Sequence, residues 1–443
     1  MNGSESSFYN KARKILPVFQ IKTLFSVIAL LIFQTSMDSA AADLRLVIWK
    51  SEAPRLWERA IADFEKQAPG VHVIREVGPS SSTQFHDLVT QKLKNRDTQM
   101  DVFLMDVIWP AEFASAGWAL PLDRYFPVSE QKKFLAAPLS ANRYHSRIFG
   151  VPLFVDAGLL YYRKDLLARY GFPPPRYWPE MVETAKKILA RVRDPQLVGF
   201  SGQFKQYEGL VCDMMEYIMS NGGALWDPDR LVSRLQEQPA KEAVRFVRDQ
   251  IVGEIGNQGL LAYQEPESLA LFTQGKAVFH RNWPYAWKIA NDPERSKIAG
   301  RVGMAVLPSF PGHPSVATLG GWQFGISRFS RNPELAWRFI EFMSRPEMQK
   351  TIALTTGRPP TRSALYDDPE LLKRIPQLKS LLEDFKRAVP RPTTPVYIPL
   401  SNIMQRYFSS ALAVPNSDIN GRAALAARDM DRVLDLLRGH VAP

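Results

Sequence analysis

Between residues 44 and 105 the chain alternates twice between a short β-prone run and a helical pattern, and this alternation constrains the fold more than any other feature. Leu44-Arg-Leu-Val-Ile-Trp49 reads as a strand. Leu56, Trp57, Ala60, Ile61 and Phe64 then recur at helical spacing over Pro54–Gln67, with Pro54 suited to the first turn and Pro69-Gly70 ending it. A strand at Val71–Val77, a helix over about Thr83–Asn95 and a strand at Asp101–Met105 follow. The β-α-β-α-β order predicts a parallel sheet covered by helices. In such sheets ligands bind beyond the carboxyl ends of the strands, so Glu52, the Ser80–Ser82 loop and Asp106 are expected to converge on one crevice.

A second α/β region begins after Val151-Pro-Leu-Phe-Val-Asp156. It predicts helices near Tyr177–Arg191, Glu208–Ser220, Pro239–Val252 and Pro266–Gly275, and strands near Ala277–His280 and Val302–Val306. Another strand, Trp322–Ser327, and a helix over about Asn332–Ser344 come next. From Asp368 onward the chain reads as mostly helical, broken by Pro390-Arg391-Pro392-Thr-Thr-Pro395. The 443 residues suffice for two domains of ordinary size.

Two tryptophans stand beside chain-breaking residues, Trp283 before Pro284 and Trp322 after Gly320-Gly321. Each is expected to top a loop at the end of a strand. An indole there offers a flat apolar face and one N–H donor, which complements a pyranose with C–H groups on one face and hydroxyls around its rim. The competing reading, that both indoles are core, draws on the high average burial of Trp.

The first residues look like a targeting segment: Lys11, Arg13, Lys14 and Lys22 precede the apolar stretch Leu24–Phe33, and Ala40-Ala41-Ala42 fits a small-residue cleavage site. Residues 1–42 are therefore expected to be a signal peptide, and the mature protein to be periplasmic. The sole cysteine, Cys212, lies in an apolar helical stretch and reads as a small buried hydrophobe. Residues 1–42 hold four Lys/Arg and two Asp/Glu, so the net charge of +11 falls only to +9 without them. The basic residues are scattered, with no run of five and no nucleic-acid motif, so no nucleic-acid partner is expected.

The six histidines form no metal-ligand pair, and no nucleotide-binding or nucleophile-elbow motif occurs. Ser129-Glu-Gln-Lys132 matches S-x-x-K without its companion elements and reads as a solvated helix start. No metal, cofactor or catalytic residue is expected.

Several ordered runs resemble a known family. Asp101-Val-Phe-Leu-Met-Asp106-Val-Ile-Trp109 and Pro152-Leu-Phe-Val-Asp156-Ala-Gly-Leu-Leu-Tyr161 are similar to segments of the carbohydrate-binding proteins of ABC importers. Lys205-Gln-Tyr-Glu-Gly-Leu-Val-Cys-Asp213, Arg281-Asn-Trp283-Pro-Tyr285-Ala-Trp287, Ala317-Thr-Leu-Gly-Gly-Trp322 and Ala388-Val-Pro-Arg391-Pro resemble the trehalose/maltose-binding members of that family. The resemblance runs from about Leu44 to Ala413. It implies an α/β, two-lobed periplasmic-binding-protein fold with a hinge and an interlobe ligand cleft. The expected lobes are 43–155 with 315–357, and 156–314 with 358–443, with crossings near Phe154–Asp156, Pro308–Val316 and Gly357–Arg362.

Carried over residue by residue, the resemblance makes Asp106 and Asp156 acceptors for sugar hydroxyls, Trp283 and Trp322 stacking plates, and Arg391 a planar donor fork. It places Gly321 where backbone meets ligand, Ser81 near a family threonine, and Tyr285 within the same site. The chain departs from the family pattern twice: Phe154 replaces a tyrosine, losing one hydroxyl, and Glu52 is close to a family acid but displaced by about one position. The implied function is capture of a sugar, a disaccharide such as trehalose, maltose or sucrose, by a monomeric protein that hands it to inner-membrane permease subunits. Two other functions remain open from the residues. An exported glycoside hydrolase would use Asp106 and Asp156 as its acid pair, and a same-fold protein for a polyamine would also suit an acidic, aromatic cleft.

Overall fold

The computed structural model describes residues 42–50 and 53–438. Two mixed sheets, each flanked by helices, organise the chain. The main strands, numbered in chain order, are β1 (Ala42–Trp49), β2 (Val71–Gly78), β3 (Val102–Asp106), β4 (Val151–Ala157), β5 (Leu159–Arg163), β6 (Val198–Ser201), β7 (Ala277–Asn282), β8 (Val302–Ala305), β9 (Thr318–Ile326) and β10 (Val389–Pro390). The first sheet runs β10-β9-β3-β1-β2, with β4 also paired to β9; the second runs β8-β5-β7-β6.

The opening β-α-β-α-β unit forms as the pattern predicts. Helix α1 (Pro54–Gln67) turns Leu56, Trp57, Ala60 and Phe64 inward, and Phe64 meets Phe339 edge-on at 5.1 Å. Helix α2 (Ser82–Lys94) buries Phe85, Val89 and Leu93. β1 pairs parallel with both β2 and β3. All five residues of β3 are buried, as expected of an inner strand covered on both faces.

β9 joins the first sheet antiparallel to β3 on one side and to β4 on the other. This corrects the expectation for Trp322: it lies in the middle of β9, directly opposite Asp106 and Phe154, rather than on a loop. Gly320-Gly321 does not break the strand. Gly321 has φ +131°, and a Cβ there would sit 2.5 Å from the Phe154 carbonyl oxygen, so the neighbouring strand itself demands glycine.

The second sheet is clothed by α3 (Trp178–Val192), α4 (Glu208–Met219), α5 (Gln238–Phe246) and α6 (Glu265–Thr273), and by two long C-terminal helices, Tyr397–Ala413 and Ile419–Arg438. The helix expected over Pro239–Val252 is α-helical only to Phe246, after which it widens into π-type turns through Ile255. Only Gly158 separates β4 of the first sheet from β5 of the second, and the chain returns to the first sheet between β8 and β9. The signal-peptide expectation for residues 1–42 falls almost wholly outside the described residues.

Candidate functional site

The carboxyl ends of β1 and β3, the loop after β2, and the first turns of α4 and α6 face one another across a cleft of about 780 Å³, open mouth included. Trp49, Asp106 and Trp322 line it from the first sheet; Glu208, Glu265, Trp283 and Tyr285 line it from the second sheet and its helices. Asp156, Gly321, Arg358 and Arg391 also line the wall.

Asp106 ends β3, and its Oδ1 accepts from the Ile108 backbone N–H at 3.3 Å and from Arg391 Nη2 at 2.8 Å. Burial pushes its carboxyl above the ordinary range; Arg391 opposes that shift and Glu208 adds to it. Pairing of β10 with the start of β9 brings Arg391 to this place. Its other arm, Nη1, donates to Glu208 Oε1 at 2.8 Å. Burial disfavours the guanidinium charge, but Asp106 and Glu208 outweigh it and hold Arg391 protonated. Glu208, in the first turn of α4, also accepts from Tyr397 Oη at 2.7 Å and from the Ser401 hydroxyl. One arginine thus ties a first-sheet strand to a second-sheet helix.

Trp283 follows β7 directly. Its Nε1–H donates to Glu265 Oε1 at 3.2 Å, and Glu265 accepts from Tyr207 Oη at 2.8 Å through its other oxygen. Gly320 lets the indole lie close: a Cβ there would be 3.1 Å from the Trp283 ring. Trp322 stacks on Trp49, ring centroids 4.5 Å apart at 18°, and meets Trp109 edge-on at 5.4 Å. Asp156 lies 3.3 Å from Arg358, whose guanidinium packs over Phe154 at 4.3 Å and Tyr285 at 4.6 Å.

The structure therefore gathers Asp106, Asp156, Trp283, Tyr285, Gly321, Trp322 and Arg391 around one space. Ser81 is buried beside it, and Ser80 and Ser82 line the wall instead. Phe154 lies behind Trp49, with centroids 5.9 Å apart, and does not reach the cleft. Glu52 is outside the described residues. Trp49, Glu208, Glu265 and Arg358 were not singled out in the sequence. Trp49 carried a usable signal, since it ends the first strand at the carboxyl edge where such sheets bind ligands.

The model of the bacterial extracellular solute-binding protein family matches residues 49–350. The chain belongs to this family. As a solute-binding protein it is the solute-capturing component of an ABC transporter, its partner being a membrane permease. A "probable ABC transporter-binding protein" of Deinococcus radiodurans is 34% identical over 340 residues, covering 76% of this chain and 80% of that one. Among solved structures, maltose-bound MalE3 of T. maritima is 37% identical, with a TM-score of 0.82 over 90% of this chain and 100% of that one. The fold also matches a Thermotoga lettingae solute-binding protein bound with alpha-D-tagatose, at 21% identity and a TM-score of 0.80 over 89% of this solute-binding protein and 100% of that chain. The resemblance noted in the sequence holds at family level, and the fold is the two-lobed one of periplasmic binding proteins.

Proposed function

We propose that this protein captures a disaccharide, of the trehalose, maltose or sucrose kind, in the interlobe cleft and presents it to the permease as a closed, loaded monomer. The observation that carries this reading is the pairing of indole plates with carboxylates from both sheets around one space. Carboxylates accept from sugar hydroxyls, and aromatic faces cover the C–H patches that carboxylates cannot satisfy. Trp283 offers a ring face, because its N–H is already donated to Glu265. Trp322 has one face covered by Trp49, so the two act as a stacked pair. The likeness to maltose-bound MalE3 of T. maritima supports a sugar of this size.

In this reading, residues 43–155 with 315–357 form one lobe and residues 156–314 with 358–443 form the other, except that Asp156, Ala157 and β10 pair within the first sheet, so that the first crossing falls at Gly158; residues 1–42 direct export to the periplasm. Ligand contacts from Asp106 on one side and Trp283 on the other exist together only when the cleft shuts, so sugar favours the closed state. Asp106→Ala and Trp283→Ala are each expected to abolish sugar binding in calorimetry while circular dichroism stays native. Undiminished affinity in both would remove the site assignment. Sugar recovered intact after long incubation separates capture from hydrolysis.

A further inference from the structure

Two residues before Trp283 on β7 lies Arg281, only 2% exposed, with its guanidinium carbon 4.1 Å from the centre of the Trp283 ring. Its orientation is fixed on several sides. Nε donates to Glu216 Oε2 at 2.8 Å and Nη2 to Glu216 Oε1 at 2.5 Å, a two-pronged fork; Nη1 donates to Gln203 Oε1 at 3.2 Å. Asp213 Oδ1 is 3.2 Å from Nε, and Asp213 Oδ2 accepts the Gln203 backbone N–H at 3.0 Å. Glu216 Oε1 also accepts the backbone N–H of Thr318, where β9 begins, at 3.1 Å. At Gly158 a Cβ would lie 2.1 Å from Glu216 Oε1 and 2.8 Å from Arg281 Nη2.

Apolar residues of equal volume would hold these elements together without burying a guanidinium and two carboxyl groups, so stability alone does not account for the cluster. A guanidinium held in its fork does supply a flat cation against the face of an indole. Glu265 fixes the edge of the same ring and Gly320 its flank.

We propose that Arg281, held by Glu216, Asp213 and Gln203, is a positioning residue that sets the angle at which Trp283 meets the ligand. It touches no ligand itself. The inference rests on the reading of Trp283 as a ligand plate, and its test has an arm that needs no ligand.

The chain has ten tryptophans, so fluorotryptophan labelling gives a resolvable fluorine spectrum, with Trp283 assigned by its loss in Trp283→Phe. Arg281→Lys keeps the charge but not the planar fork. It is expected to shift and broaden the Trp283 resonance while the other nine stay in place. Should that variant fail to fold, the isosteric Glu216→Gln carries the same expectation. An unchanged Trp283 resonance overturns the proposal. With maltose, trehalose and sucrose as probes, Arg281→Lys is expected to weaken binding about ten-fold, and to cost nothing further in proteins already carrying Trp283→Phe. Equal losses in both backgrounds overturn it. If maltose, trehalose and sucrose all fail to bind wild-type protein, the disaccharide reading fails, and the fluorine spectrum alone decides the role of Arg281.

Discussion

Single residues here are constrained by neighbours far away in the sequence. Gly321→Ala places a Cβ against the Phe154 carbonyl at a backbone angle that side chains rarely adopt. A loss on the order of 2 kcal/mol is expected in denaturant unfolding. His280 is fully buried between the Ser201 hydroxyl at 2.8 Å and Asn282 at 2.9 Å, and burial pulls its pKa down to about 3. Between that value and the ordinary 6.5, the unfolded chain binds a proton that the folded chain refuses. Stability from this group is complete above about pH 6.5 and is lost as pH falls, on the order of 1 kcal/mol per pH unit. Melting temperatures from pH 7 to 4 should fall less steeply for His280→Gln than for wild type. Buried Asp106 and Asp213 contribute with opposite sign, which is why the comparison with the variant matters. Asp106, Trp283 and Arg391 were legible in the sequence because each stands in a distinctive local run. Glu208 and Arg358 were not: Glu208 joins the cleft through Arg391, 183 residues away, and Arg358 pairs with Asp156 across 202.

Elements with strong periodicity are legible in the sequence almost to their ends. The helix Pro54–Gln67 matches at both ends, and β1 to β3 match within two residues at each end. β9 begins at Thr318, four residues before the start its sequence predicts. Its first half holds Gly320-Gly321; glycine has poor strand propensity, and glycine pairs usually mark turns. Pairing on both sides and the close pass of β4 override that preference. β9 is also the element on which both the sheet and the cleft depend. In hydrogen exchange its amides and those of β3 should be among the last to exchange, whereas β2, at the edge with Val77 half exposed, should exchange earlier. Equal rates for β9 and β2 would contradict this ranking.

For the whole molecule, ligand capture and stability are linked. Sugar at 100 times its dissociation constant should add about 2.7 kcal/mol to unfolding, seen as a raised melting temperature. Scattering profiles with and without maltose or trehalose should differ if sugar shuts the cleft, and identical radii at saturation would count against closure. The order of strands and helices makes two α/β regions legible, and the family resemblance implies their two-lobed plan, but neither reveals the tie between lobes. The Arg391 fork exists only after residues 106, 208 and 391 have been brought together by three separate elements. One last consequence comes from Gly158, the single residue between the two sheets at their first junction. So short a link has no slack: the halves can swing about it but cannot slide apart. Displacement must then grow with distance from that pivot, so paired spin labels at the rim would report an arc of travel that labels beside residue 158 would barely register.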